Sequence, residues 1–84
     1  MDGCKVGVVI PAFNEATTIS NIVRTVSEYG IPIVVDDGST DKTGFLAKES
    51  GAVLISHSKN LGYDEALNSG FKKAAELDVK FIIS

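Results

Sequence analysis

Two hydrophobic rhythms alternate along the chain. Lys5-Val6-Gly7-Val8-Val9-Ile10 is a short run rich in β-branched residues that stops at Pro11, the pattern of a buried strand. From Glu15 to Tyr29 the rhythm lengthens. Ile19, Ile22, Val23 and Val26 recur at spacings of three and four and form one stripe of a helix. Asn14 stands where an N-cap is expected, Glu15 falls in the first turn, where a carboxylate suits the helix dipole, and Gly30 is the stop.

The same two rhythms then repeat. Ile31 to Asp36 reads as a second strand, and Asp37-Gly38-Ser39-Thr40 as a turn whose Ser39 or Thr40 caps a helix running to about Ser50. Ala52 to Ser56 is a third strand, followed by a polar loop from His57 to Gly62. A third helix spans Tyr63 to Leu77 and buries Ala66, Leu67, Gly70, Phe71 and Ala74. Val79 to Ile83 completes the series as a core-type strand. Strands that are apolar throughout, separated by helices, predict a parallel sheet covered on both faces. Right-handed crossovers make this an α/β, Rossmann-like three-layer sandwich of four parallel strands in the order 3-2-1-4, with a switch point between strands 1 and 4. A core-type strand as the last element leads us to expect residues 1–84 to be a single domain that is the truncated part of a larger one.

Composition narrows this picture. Hydrophobic residues make up 44% and charged residues 23% of the 84, an ordinary globular balance. A net charge of −3 speaks against a nucleic-acid partner, which calls for a basic face. One cysteine, Cys4, allows no internal disulfide and reads as an inert thiol. With no apolar run near the ~20 residues of a membrane helix and no leader pattern, a cytoplasmic location is expected.

Candidate chemistry gathers at the strand ends. In open parallel sheets, ligands bind beyond the carboxyl ends of the strands. Strand 1 leads into Pro11-Ala12-Phe13-Asn14-Glu15, strand 2 into Asp36-Asp37-Gly38-Ser39-Thr40-Asp41, and strand 3 into Ser56-His57-Ser58-Lys59-Asn60-Leu61-Gly62. Adjacent carboxylates repel each other and lose solvation if buried. Asp36 and Asp37 therefore either serve a ligand, as acceptors for an imide N–H or a ribose hydroxyl, or cap the turn. Spacing leaves both readings open. Pro11 and Phe13 could wall a flat base or simply pack. His57, Lys59 and Asn60 could meet a phosphate or be solvated, and His57 has no partner visible in the sequence for acid–base work. Neither a GxGxxG nor a GxxxxGK[ST] phosphate cradle is present.

Three motifs together carry a resemblance. Val9-Ile10-Pro11-Ala12-Phe13-Asn14-Glu15, then Val34-Val35-Asp36-Asp37-Gly38-Ser39-Thr40-Asp41-Lys42-Thr43, then Lys59-Asn60-Leu61-Gly62-Tyr63 resemble the family 2 glycosyltransferases, and most closely the dolichol- or polyprenol-phosphate sugar synthases. The resemblance implies a partial GT-A fold and an inverting hexosyltransferase using a UDP- or GDP-sugar donor. The acceptor would be a lipid phosphate or a sugar, placing the whole protein at the cytoplasmic face of a membrane. Residues Pro11, Ala12, Phe13, Asn14, Glu15, Asp36, Asp37, Lys59, Asn60 and Gly62 would bind the donor nucleoside, with Asp37 near the base and Asp36 supporting its loop. Mg²⁺ or Mn²⁺ would be held by a DxD motif expected beyond Ser84, so this chain would carry neither catalytic nor metal-binding residues and would be inactive alone. Asp64 and Glu65 depart from the small residues usual in the family after the third motif, and read as first-turn charges of the third helix. The alternative is a non-catalytic nucleotide-binding module, or one that forms homo-oligomers through its open sheet edge.

Overall fold

The structure is a computed structural model that describes residues 6–84. Cys4 and its reading as an inert thiol, and Lys5 as the opening of the first strand, lie outside the described residues. The elements are β1 (Val6–Ala12), α1 (Ile19–Val26), β2 (Ile31–Asp37), α2 (Thr43–Glu49), β3 (Val53–His57), α3 (Tyr63–Glu76) and β4 (Lys80–Ile83). All strand pairs are parallel, and the sheet order is β3-β2-β1-β4, as the alternating pattern predicts.

Strand pleating divides the core in two. Val8, Ile10 and Ala12 of β1 and Val34 of β2 face Ile19, Val23 and Val26 of α1 and Ala47 of α2. On the opposite face, Val9 and Val35 pack against Ala66, Leu67 and Phe71 of α3. Helices thus cover both faces, giving the three layers. α3 comes close to the sheet at Gly70, where an added Cβ would collide with the Val9 side chain.

Several boundaries differ from the sequence reading, each for a local reason. Pro11 does not end the first strand, which runs through it to Ala12. Val9 presents its carbonyl toward the β4 side, where it accepts the Ser84 N–H, and pleating turns position 11 the same way. The N–H that proline lacks would thus face away from β2, and the β1–β2 register continues through Pro11↔Val35 to Ala12↔Asp36.

The first helix begins at Ile19, not Glu15, because Asn14 takes a φ of 54° and a turn comes first, with the Thr18 and Ile19 N–H groups donating to the Glu15 carbonyl. Asn14 is therefore no N-cap, and Glu15 is not in the helix's first turn. Gly30 does not stop this helix, which ends at Val26. It lets the chain pass β1, since a Cβ there would come 2.6 Å from the Val6 carbonyl oxygen. Ser39 and Thr40 do not cap α2, whose N-cap is Lys42. The last strand, expected to be core-type, is exposed from Lys80 to Ile83 in these 84 residues, because only β1 and α3 pack against it.

Candidate functional site

Three loops meet beyond the carboxyl ends of β1, β2 and β3, and the loop after β2 holds the other two. On one side, three successive backbone N–H groups of the first loop donate into it. Asn14 N–H reaches Ser39 Oγ at 2.8 Å, Glu15 N–H reaches Thr43 Oγ1 at 2.8 Å and Ala16 N–H reaches Asp41 Oδ2 at 3.3 Å. The Asn14 side chain closes the latch, its Oδ1 accepting the Thr40 N–H at 2.9 Å. Asp41 Oδ1 accepts the Thr43 N–H at 3.0 Å and the Thr43 hydroxyl. The Thr43 hydroxyl, foremost, and the Thr43 and Ala16 amides hold the Asp41 carboxyl below the usual range.

On the other side, Asp37 anchors the loop after β3. Its Oδ1 accepts the Leu61 N–H at 2.9 Å and faces His57 Nδ1 at 2.8 Å, while Oδ2 accepts the Gly62 N–H at 2.9 Å. Asn60 Nδ2 donates to the Asp37 carbonyl at 3.2 Å. The far ring nitrogen of His57, Nε2, lies 2.8 Å from Ser69 Oγ on α3. Burial pushes the Asp37 carboxyl up, but its bonds from His57, Leu61 and Gly62 outweigh burial and hold it below the usual range. Gly38, at φ 78°, brings the two loops into contact: a Cβ there would strike the backbone of Lys59 and Asn60.

The acidic pair avoids mutual repulsion through strand alternation. Asp36 points toward α2, where Oδ1 accepts the Ser39 N–H at 3.1 Å and Oδ2 lies against Gly44; Asp37 points the other way, toward His57 and α3.

Between the three loops lies a cavity of about 300 Å³ lined by Pro11, Ala12, Phe13, Glu15, Asp37, Asn60, Gly62, Tyr63 and Ala66. Seven of the ten sequence candidates therefore border one space. Asn14, Asp36 and Lys59 are not on its wall. Asn14 and Asp36 tie loops, and Lys59 is exposed.

The reading of His57 as partnerless is corrected by Asp37 and Ser69, which lie 20 and 12 residues away in sequence. Tyr63 and Ala66 were missed as lining residues. Tyr63 stands in the third quoted motif, whereas Ala66 carries only a core signal. Among the described residues, no three His, Cys, Asp or Glu side chains come together to hold a metal ion. No helix among them is long and apolar enough to cross a membrane.

Comparison with known proteins gives this geometry a lineage. The chain is 30% identical, over 90% of its length and 38% of the relative's, to a UDP-N-acetylglucosamine–dolichyl-phosphate N-acetylglucosaminyltransferase of Methanococcus voltae. It is 39% identical to an uncharacterized protein of Methanocaldococcus jannaschii, over 95% of this chain and 34% of that one. Among solved structures, glucosyl-3-phosphoglycerate synthase of Mycobacterium tuberculosis, in complex with Mn²⁺, UDP and glucosyl-3-phosphoglycerate, superimposes with a TM-score of 0.72 at 32% identity, over 98% of this chain and 34% of that one. The chain spans roughly a third of the length of these relatives. The family described as Glycosyl transferase family 2 matches residues 7–79. With that match covering most of its length and the parallel sheet ordered as the sequence pattern predicts, the chain belongs to glycosyltransferase family 2.

Proposed function

We propose that the cavity beyond β1, β2 and β3 receives the nucleoside of a nucleotide-sugar donor. One observation carries the reading: Phe13, Asp37 and Asn60, from the ends of three different strands and the loops after them, line the same space of about 300 Å³, at the lower end of the usual range for small-molecule sites. Pro11, Ala12 and Phe13 supply an apolar wall against which a flat base can lie. Asp37 offers an acceptor and Asn60 a donor at its edge. Glu15, Gly62 and Tyr63 border the remainder. Asn14 and Asp36 act by fixing the loops, and Lys59 stands outside the wall, on the segment that Gly38 packs against.

The domain assignment belongs to the same proposal: residues 1–84 form the donor-binding part of a longer transferase that moves a hexose, with inversion, to a lipid phosphate or a sugar at a membrane's cytoplasmic face. The relatives that bind UDP with Mn²⁺, or are named for a dolichyl-phosphate acceptor, support this. A divalent ion would neutralise the donor diphosphate, and among the described residues no three His, Cys, Asp or Glu side chains come together to hold it. Their part is stacking and hydrogen bonding to the nucleoside.

Titrating UDP and GDP into the 84-residue chain, followed by amide NMR shifts, tests the reading. Shifts clustered at residues 11–15, 37–38 and 60–66 are expected, and shifts confined elsewhere would refute it. The same chain, given a labelled UDP-sugar and a polyprenyl phosphate, is expected to transfer no sugar.

A second reading rests on β4, whose Phe81, Ile82 and Ile83 are 45%, 51% and 47% exposed. An unpaired apolar edge of this kind invites self-association. Sedimentation of the chain as a monomer at high concentration would set that reading aside.

A further inference from the structure

Asp37 is the most heavily engaged side chain bordering the cavity, and its partners form a chain running away from it. A carboxylate offers about four acceptor positions. Three are filled: two on Oδ1, by His57 Nδ1 and the Leu61 N–H, and one on Oδ2, by the Gly62 N–H. The imidazole between Asp37 and Ser69 is fixed at both ends at 2.8 Å and is only 10% exposed. Facing an ionised Asp37, Nδ1 carries the proton and donates; in the neutral ring, Nε2 then accepts from the Ser69 hydroxyl. Ser69 sits on α3, which is seated on the sheet through Ala66, Gly70 and Ala74. The carboxylate thus cannot turn without breaking its bonds to the loop after β3 and to His57, which Ser69 ties to α3.

We propose that His57 and Ser69 are positioning residues that lock Asp37 with a single acceptor position left on Oδ2, and that this lock selects a uracil base over guanine. The inference rests on the nucleoside reading of the cavity. Uracil carries one ring N–H, between two carbonyls, and one acceptor position satisfies it. The second N–H of the Asn60 amide, beyond the one donated to the Asp37 carbonyl, can serve a flanking carbonyl. Guanine presents a ring N–H and an adjacent amino group, a two-donor edge that needs both carboxylate oxygens. With Oδ1 saturated, one guanine donor would enter the cavity unpaired, a desolvation cost that weakens binding by about tenfold or more. Cytosine, with no ring N–H at this position, would place a lone pair against the carboxylate and is disfavoured as well.

Calorimetric titration of the unmodified chain with UDP, GDP and CDP decides the base, and needs no variant. UDP is expected to bind at least about tenfold more tightly than either competitor. Equal affinity for UDP and GDP would overturn the inference while leaving the nucleoside cavity standing. Failure of all three to bind would overturn the cavity reading, and this inference with it.

The lock itself is read in His57→Leu, His57→Asn and Ser69→Ala, each checked for folding by circular dichroism. His57→Asn keeps an N–H near the position of Nδ1 and is expected to hold UDP affinity within about threefold, whereas His57→Leu loses about tenfold. In the unmodified chain, proton NMR should show a strongly downfield Nδ1–H resonance that moves when UDP binds and disappears in both His57 variants. Should His57→Leu fail to fold, Ser69→Ala carries the test through a displaced Nδ1–H signal and weaker UDP binding. A folded His57→Leu or Ser69→Ala that binds UDP like the unmodified chain would overturn the positioning role.

Discussion

β2 and β4 are written in nearly the same alphabet, yet they meet opposite fates. Ile31 to Asp37 is buried at six of its seven positions, and Lys80 to Ile83 at none of four. The difference lies in what surrounds them. β2 is paired on both sides, by β1 and β3, and roofed on both faces by α1, α2 and α3. Among the described residues β4 is paired only by β1, and Phe71 of α3 stacks on its Phe81 with ring centroids 4.7 Å apart. An apolar β-branched run announces that a segment will pair. Burial is settled by how many neighbours then close over it. The polar end after β2 also gathers bonds from the two flanking loops.

If β2 is the hub and β4 the periphery, substitutions should divide accordingly. The largest loss is expected for Asp37→Ala, which strips partners from His57, Leu61 N–H and Gly62 N–H together. It should cost about 3 kcal/mol, read from urea unfolding. Gly38→Ala comes next at about 2 kcal/mol, because its φ of 78° and the contact with the Lys59–Asn60 backbone both oppose a Cβ. A loss there no greater than at an exposed helix site would break the idea of tightly joined loops.

Acid should act on the hub too. Asp37 and Asp41 have folded pKa values below their unfolded ones, so each stabilises the fold as a carboxylate. That contribution is complete above the unfolded value near ~4, and is lost as pH falls through the lower folded values. The urea midpoint should therefore fall below about pH 4, and fall less steeply in Asp37→Asn. The smallest effect is expected at the periphery: Ile82→Thr, at a site 51% exposed, should change stability by less than about 1 kcal/mol. A loss as large as that at Asp37 would erase the contrast between the two strands.

Much of this was legible in the chain itself. Spacing gave the element order, the parallel sheet and the edge on which polar groups collect. Local capping rules failed at Asn14, Ser39 and Thr40, because they weigh only near neighbours. The true partners of these residues lie 25 or 26 positions away, across two loops. His57 was opaque for the same reason. Nothing in Ser56-His57-Ser58 hints that Asp37 and Ser69 will arrive on either side of the ring. Glycines were ambiguous in a different way: Gly30 and Gly70 punctuate or fill by rule, but what they permit is a close crossing that appears only once the sheet is assembled.

Pro11 holds one more consequence. A residue with an amide hydrogen at that point of β1 could carry the ladder on toward the β4 side, zipping the sheet up to its rim. The imino ring leaves β1 without that donor two residues past Val9, while the β2 side stays paired through Ala12↔Asp36. The same ring borders the cavity, so one residue both withholds a ladder donor and presents a rigid apolar surface to the cleft.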